Sequence, residues 1–398
     1  MTSIGVIFGG RSVEHEVSVL TAHQAMAALD DTDFSIVPVY IGKDGQWYTG
    51  TALRELSAFA DIASLMRRLQ MVRMSFGEGR LVLEPRAHGL RRFGAGSLAI
   101  DVALPLVHGT FGEDGTLQGL LEMANVPYIG CDVAASAIGM DKHLTKVVLG
   151  AAGVPVLPYL MVWQKDPGLA QIAERISSGF GFPVYVKPRN LGSSIGVSRV
   201  ASADELGDAI ELALSYTDGA LIEPSQEGAI EINCSVMRKD GAPVASVCEQ
   251  LTKRGLVSYV DKYMGGAKQP ARESKSTQAP AAKGGMKNAG RIVPAPLGAA
   301  TTRRVQEMSM AAYSAIHADG IVRVDLLMDE ASGKLTVNEL NTIPGSLAFY
   351  LWSETGLSFP RLLETAVTDS RRRFFARDEH SYSIDSWLLS GAPPVSGK

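Results

Sequence analysis

An α/β fold with more than one domain is what this sequence predicts, and three observations carry that expectation. A strand, a helix and a second strand follow one another between Ser3 and Gly42, as SIGVIFGG, VSVLTAHQAMAALD and FSIVPVYIG. Two apolar strands, SIGVIFGG and IDVALPLVHG, run into glycine, which lets backbone approach a ligand closely at a strand end. The chain has 398 residues, enough for two or three domains at about 150 residues each.

Composition narrows the function. Lys+Arg 38 against Asp+Glu 42 leaves a net charge of −4, and 46% of residues are hydrophobic, which argues against a disordered, collagen-like or DNA-packaging protein. Cys131, Cys234 and Cys248 are widely spaced and read as free thiols in a reducing compartment. The start MTSIGVIFGG lacks a cationic stretch before a long apolar one, and no run approaches the roughly 18 apolar residues of a spanning helix. A cytoplasmic protein with no membrane partner is therefore expected.

The elements then follow in order. KDGQWYTG predicts a hairpin turn at Asp44-Gly45, ALRELSAFADIASLMRRLQ a helix, and MVRMSF with RLVLE a strand pair. GTLQGLLEMAN reads as a helix, VPYIGC as a strand, and Ser136 to Gly150 as a helix leading into the strand VPVLPYLMV. GFPVYVKP is a strand, NLGSSIGVSRV a small-residue hairpin, and ALIEPS a strand ending in proline. Two hairpins follow, AIEINCSVMRKDGAPVASVCEQL turning at Asp240-Gly241, and GIVRVDLLMDEASGKLTVNELN. A helix is expected near FPRLLETAVTDSRRRFFA. Met264 to Gly290, rich in Gly, Ala, Lys, Ser and Gln, reads as a mobile basic loop, and the end of the chain as a loose extension.

Four constellations carry chemistry. In KPRNLGSSIGVS, Lys187 ends a strand and small residues follow, so backbone N–H groups can wrap an anion while lysine supplies charge. In RVDLLMDEASGKLTVNELN, Asp325 lies on one strand, and Glu339 and Asn341, two apart, share a face of the other. Three oxygen donors on one hairpin face suit Mg²⁺. In HGTFGEDGTLQG, His108, Glu113 and Asp114 sit among glycines after a strand, and a helix-capping role would explain Asp114 but not His108. In FGGRSVEHEVSV, Glu14 reads either as favourable first-turn charge or as a carboxylate for a cationic ligand group.

Taken together and in order, FGGRSVEHEVS, HGTFGEDGTLQG, MDKHLTK, VKPRNLGSSIGVS and RVDLLMDEASGKLTVNELNTIPG resemble the D-alanine–D-alanine ligase family of ATP-grasp enzymes, from about Ile4 to Leu363. The resemblance implies a three-domain ATP-grasp fold with an N-terminal parallel-sheet domain. It places an N-terminal substrate domain at 1–130, a central domain at 131–223, a C-terminal domain with the metal site at 224–375, and a tail at 376–398. Lys142, Lys187, Gly192, Ser194, Glu223 and Glu231 match positions around ATP, the two glutamates near adenine and ribose. Asp325, Glu339 and Asn341 match the ligands of two Mg²⁺ ions, with Mn²⁺ as the alternative. Glu14, Ser193 and Tyr263 match a hydrogen-bonded trio at the first substrate site, Arg323 an arginine that steadies the phosphoryl group and the tetrahedral intermediate, and Gly345 an oxyanion-hole N–H. His108, Glu113 and Lys262 match residues near the amino-acid substrates. A homodimer is also implied by resemblance, and nucleic acid is not an expected partner.

The sequence departs from the family pattern at three places. The loop after Tyr263 is long, with Pro294-Ala295 some thirty residues on. The lysine–tyrosine run reads SYVDKY. After NTIPG the family's serine-containing stretch is shorter, and an ungapped count puts Tyr350 where the second substrate's carboxylate is held, with Ser346 and Ser353 as substitutes. Phe349, Tyr350 and Trp352 are then expected beside the acceptor. The leading expectation is a ligase forming D-alanyl-D-alanine through an acyl phosphate for peptidoglycan. One rival is an amide ligase with a different acceptor in specialised biosynthesis; the other is a non-catalytic nucleotide-binding protein.

Overall fold

The computed structural model describes residues 1–86, 96–166, 168–252 and 290–382. The first sheet takes β1 (Ser3–Gly9), β2 (Ser35–Ile41), β3 (Trp47–Thr49), β4 (Gln70–Gly77), β5 (Arg80–Pro85), β6 (Leu98–Ile100) and β7 (Val102–Pro105), ordered β6-β5-β4-β3-β2-β1-β7. β1 pairs in parallel with β2 and β7, with Ile4 opposite Ile36 and Val102. Ile4, Val6, Ile7 and Phe8 are fully buried, as a parallel strand covered on both faces requires. The chain crosses between strands through α1 (His15–Leu29) and α2 (Ile62–Arg68), and α3 (Thr116–Met123) follows β7.

A second, antiparallel sheet runs β10-β9-β11-β8, from β8 (Leu160–Trp163), β9 (Val184–Pro188), β10 (Ser198–Val200) and β11 (Gly219–Pro224). Two helices, α4 (Val133–Met140) and α5 (Lys142–Ala151), precede it. Ile172 and Ile176 of α6 (Leu169–Gly179) and Leu206 and Ile210 of α7 (Leu206–Leu214) pack with Val184, Val186 and Ile222. The third sheet, β14-β13-β12-β15-β16, takes β12 (Ile230–Lys239), β13 (Ala242–Leu251), β14 (Arg291–Ile292), β15 (Ile321–Met328) and β16 (Leu335–Asn341). Asp240 and Gly241 turn β12 into β13 with φ of +51° and +85°, the left-handed pair a two-residue hairpin demands. Helices Ala299–Ala315, Phe349–Glu354 and Phe359–Asp378 complete the described chain. One apolar cluster joins Ile4, Val19 and Met26 to Ile343, Leu347, Leu362 and Val367, so the first sheet and the C-terminal segment share a core.

Several boundaries differ from the sequence reading, each for a local reason. Ile100 and Val102 fall on separate strands, one paired with β5 and the other with β1. VPVLPYLMV is a strand only over Leu160–Trp163, because Pro155 and Pro158 cannot donate to a ladder. VPYIGC contributes a single bridge, Ala103 to Tyr128. The helical run near Ser136 is two helices, broken where the Asp141 side chain accepts from the His143 and Leu144 N–H groups at 2.9 and 3.1 Å. Residues 51–60 are short 3₁₀ turns. α6, α7 and Ala299–Ala315 were not among the elements read from sequence, and the last helix extends to Asp378, into the stretch assigned to the tail. The three cysteines are free and buried. Among the described residues no helix is long and apolar enough to cross a membrane.

Candidate active site

Strand register builds the first wall of the site. Glu249, Asn233, Asp325 and Glu339 stand opposite one another across β13, β12, β15 and β16, and Arg323 stands opposite Asn341. The Arg323 guanidinium donates both Nε and Nη2 to Asp325, at 2.6 and 2.7 Å, and Asn341 Nδ2 donates to Asp325 Oδ2 at 3.0 Å. Burial opposes the charge on Arg323, but the Asp325 carboxylate outweighs it and holds the guanidinium firmly protonated. Among the described residues no three His, Cys, Asp or Glu side chains converge on a metal position. Asp325, Glu339 and Asn341 instead offer two carboxylates and an amide oxygen on adjacent strands, a hard-oxygen set that fits Mg²⁺ or Mn²⁺ completed by phosphate and water.

The second wall comes from α5 and the second sheet. Lys146 and Lys187 both reach Glu223, at 2.8 and 2.5 Å, and Lys187 also donates to Asn338 Oδ1 at 3.4 Å. Burial alone would push the Glu223 carboxyl up, yet the two ammonium groups hold it down at about 2. Glu223, matched to a position near adenine, is thus a buried carboxylate between two cations. Lys142 Nζ donates to the Leu191 carbonyl at 2.5 Å, and burial lowers its pKa. Glu231 is half-buried on β12, and its charge reaches Lys187. In the loop between β9 and β10, Ser193 and Ser194 take φ of +55° and +59°. Lys142, Gly192, Glu113, Glu339 and Asn341 line one cavity.

The third wall is the N-terminal domain. Gly9 at the end of β1 has φ +92°, and a Cβ there would lie 2.4 Å from the Ile41 carbonyl oxygen, so only glycine turns this corner. Glu14, just beyond, is buried and accepts a hydrogen bond from the Ser193 hydroxyl. Gly109 matters for the same reason, since a Cβ there would stand 2.8 Å from Glu14 Oε2. Glu113 accepts from Gly109 N–H at 2.8 Å and from Ile343 N–H at 3.3 Å. Burial, reinforced by the nearby Glu14 charge, pushes the Glu113 carboxyl up to about 8, so it is mostly protonated at neutral pH. Burial, with the Arg323 charge, pushes His108 down to about 4 and leaves it neutral.

The segment after Pro344 closes the site. Ser346, Leu347 and Ala348 are three successive non-glycine residues at φ +55°, +50° and +48°. At about 1–2 kcal/mol each, this conformation costs roughly 3–6 kcal/mol. Burial of Leu347 recovers about 1.5–3 kcal/mol. Hydrogen bonds from Leu347 N–H to the Pro344 carbonyl, 2.8 Å, and from Ser346 N–H to Thr21 Oγ1, 3.1 Å, add about 0.5–1.5 kcal/mol each. Thr21 and the packing around Leu347 hold the turn from outside itself.

Tyr350 stands differently from the expectation that it lines an acceptor pocket. Its hydroxyl donates to Glu249 Oε1 at 2.8 Å, and its ring lies 4.9 Å from the Arg291 guanidinium, with little surface exposed. Phe349 stacks on Phe359 and Trp352 Nε1 donates to Ser235 Oγ, so both neighbours are structural. Gly345 opens the strained turn and Ser346 is buried within it, while Ser353 caps back onto the Phe349 carbonyl. Lys262, Tyr263 and the 264–289 part of the basic loop lie outside the described residues. The sequence reading missed Thr21, Lys146, Asn338 and Glu249. Lys146 carried a signal, one helical turn after Lys142 in MDKHLTK, and so did Thr21, two turns after Glu14.

Glu113, Lys142, Glu339 and Asn341 bring one residue or more from each wall onto a single cavity, and comparison with known proteins decides the family. Residues 3–131 match the family model described as D-ala D-ala ligase N-terminus, and residues 148–368 match D-ala D-ala ligase C-terminus. The chain belongs to the D-alanine–D-alanine ligase family. A relative from Thermosipho africanus, named D-alanine--D-alanine ligase, is 32% identical over 390 residues, 98% of each chain. The structure of the D-alanine-D-alanine ligase from Coxiella burnetii superposes with a TM-score of 0.78 at 28% identity, over 95% of this chain and 96% of that one. VanG D-Ala:D-Ser ligase from Enterococcus faecalis superposes at 0.73 with 27% identity, over 93% and 99%. Membership brings the mixed α/β ATP-grasp architecture, an ATP-dependent carboxylate–amine ligation and the use of ATP with Mg²⁺ typical of such ligases.

Proposed function

We propose that this chain joins two D-alanines into D-alanyl-D-alanine for peptidoglycan precursor synthesis, using ATP and two Mg²⁺ ions, with Mn²⁺ as the alternative metal. The observation that carries this reading is the Arg323–Asp325 pair, in register with Glu339 and Asn341, on a strand whose continuation reaches Glu113 through the Ile343 N–H. A protein that only bound nucleotide would have no use for an arginine beside an amino-acid site.

A carboxylate is a poor acyl donor, and ATP supplies the phosphoryl group that makes it a good one. Asp325, Glu339 and Asn341 would hold the metal ions, which neutralise phosphate charge. Lys142 and Lys187 bind phosphate oxygens, and Glu223 keeps Lys187 charged and in place. Glu14, oriented by Ser193, receives the ammonium of the first amino acid. Glu113, protonated at neutral pH, adds no second negative charge next to Glu14 and can donate a hydrogen bond. When the second amine attacks the acyl phosphate, Arg323 and the Gly345 N–H stabilise the oxyanion of the tetrahedral intermediate.

The test uses D-alanine labelled with ¹⁸O in its carboxylate. One labelled oxygen is expected in the released phosphate, because the carboxylate oxygen that takes the phosphoryl group leaves with it. Unlabelled phosphate accompanying dipeptide would end the acyl-phosphate reading. A second reading keeps the donor half and changes the acceptor. It is favoured by one observation: Tyr350 is engaged with Glu249 and Arg291.

A further inference from the structure

Helix α1 carries a buried polar stripe of His15, Ser18 and Thr21. His15 Nδ1 meets the Gly10 carbonyl at 2.7 Å and its Nε2 meets the Tyr40 hydroxyl at 3.0 Å. One turn on, Ser18 Oγ accepts from Gly9 N–H at 2.8 Å and donates to the Leu106 carbonyl at 2.6 Å. These two residues tie the helix to the ends of β1, β2 and β7. One turn further, Thr21 breaks the pattern. Its hydroxyl meets His108 Nε2 at 3.1 Å and accepts from Ser346 N–H at 3.1 Å, and it is buried. A single oxygen therefore touches the substrate-side histidine of one domain and the strained turn after Gly345 of another.

We propose that Thr21 is a positioning residue for acyl transfer: its hydroxyl fixes the Ser346 amide, and with it the left-handed turn that aims the Gly345 N–H, while holding the His108 ring against the amino-acid site. A hydroxyl suits this place because its oxygen accepts more than one hydrogen bond and still donates one, so it satisfies the histidine in either neutral tautomer. A methyl group of the same shape would leave the Ser346 N–H and His108 Nε2 facing an apolar surface. The turn holds three residues in a conformation that non-glycine residues avoid, so loss of an external anchor lets it relax. Relaxation displaces the oxyanion donor without touching the lysines or the metal ligands. The catalytic part of this inference rests on the ligase reading; the anchoring part does not.

The test compares Thr21→Val and Thr21→Ser with the unaltered chain by two independent readouts. The first is amide hydrogen exchange resolved at Ser346, which needs no activity. The valine variant is expected to exchange at least about 10-fold faster there and the serine variant at the parent rate. The second is turnover. Thr21→Val is expected to lower kcat for dipeptide about 10- to 100-fold while KM for ATP stays within about twofold. The ratio of phosphate released to dipeptide formed should rise, as stranded acyl phosphate is lost to water, and Thr21→Ser should restore both. Unchanged exchange at Ser346 in Thr21→Val overturns the anchor, whatever the activity. Faster exchange with an unchanged kcat and ratio overturns the positioning role. Faster exchange in a protein whose unaltered form makes no dipeptide supports the anchor and overturns the ligase reading. Should the valine variant not fold, Thr21→Ala takes its place with the same outcomes.

Discussion

Glu223 and Glu113 are both buried carboxyls in the walls of one site, and their surroundings hold them in opposite charge states. Glu223 sits between Lys146 and Lys187 and stays ionised down to about 2. Glu113 sits near Glu14, with two backbone N–H donors in compensation, and keeps its proton up to about 8. The nucleotide side of the cleft is organised by paired charges, and the amino-acid side by neutralised ones. Burial disfavours both carboxylates alike, so what differs is which elements the fold brings beside each.

Removing charge should therefore act in opposite directions on the two sides. Glu223→Gln strands two lysines, one of them almost fully buried, and is expected to destabilise by roughly 3–5 kcal/mol in denaturant unfolding at pH 7. A loss below about 1 kcal/mol would break the comparison. Glu113→Gln keeps an acceptor for Gly109 N–H and removes a group that must take up a proton on folding at pH 7, which offsets the acceptor lost to Ile343 N–H, so it is expected to be no less stable than the parent.

The pH dependence sharpens the same contrast. The folded pKa of Glu223 lies below the ordinary 4.5, so its stabilisation is present above that value and lost as pH falls toward about 2. The folded pKa of Glu113 lies above 4.5, so its contribution is full below that value and is lost as pH rises through about 8. The Tm deficit of Glu223→Gln should shrink on acidification from pH 5 to 3, whereas Glu113→Gln should gain Tm relative to the parent from pH 5 to 8. Parallel pH profiles for the two variants would contradict the account. The smallest effect is expected at the rim of the metal strand row. Tyr350→Phe removes one donor to Glu249, which keeps Asn233 and Arg291, and should cost about 1 kcal/mol in unfolding free energy.

Much of this was legible from residues. Asp325, Glu339 and Asn341 share a hairpin face because strand alternation is local arithmetic, and the register bears that geometry out. The hairpin turn at Asp240-Gly241 and the glycine after β1 follow from φ preference in the same way. What stayed hidden depends on contacts across the chain. The pairing of Glu223 with Lys146 joins α5 to β11, and the bond from Ser346 to Thr21 spans 325 positions. No periodicity encodes a partner at that distance. The partner of Tyr350 was hidden for the same reason: a count along the chain gave its position in the motif, but not its bond to Glu249 on another strand.

Supplying the protein with ATP, Mg²⁺ and D-alanine alone, and identifying the product by mass, tests the dipeptide ligase function. D-alanyl-D-alanine is expected, with phosphate released in equal amount. Phosphate release only when a different amino acid accompanies D-alanine would contradict it, leaving the nucleotide half of the site intact and moving the function to another acceptor.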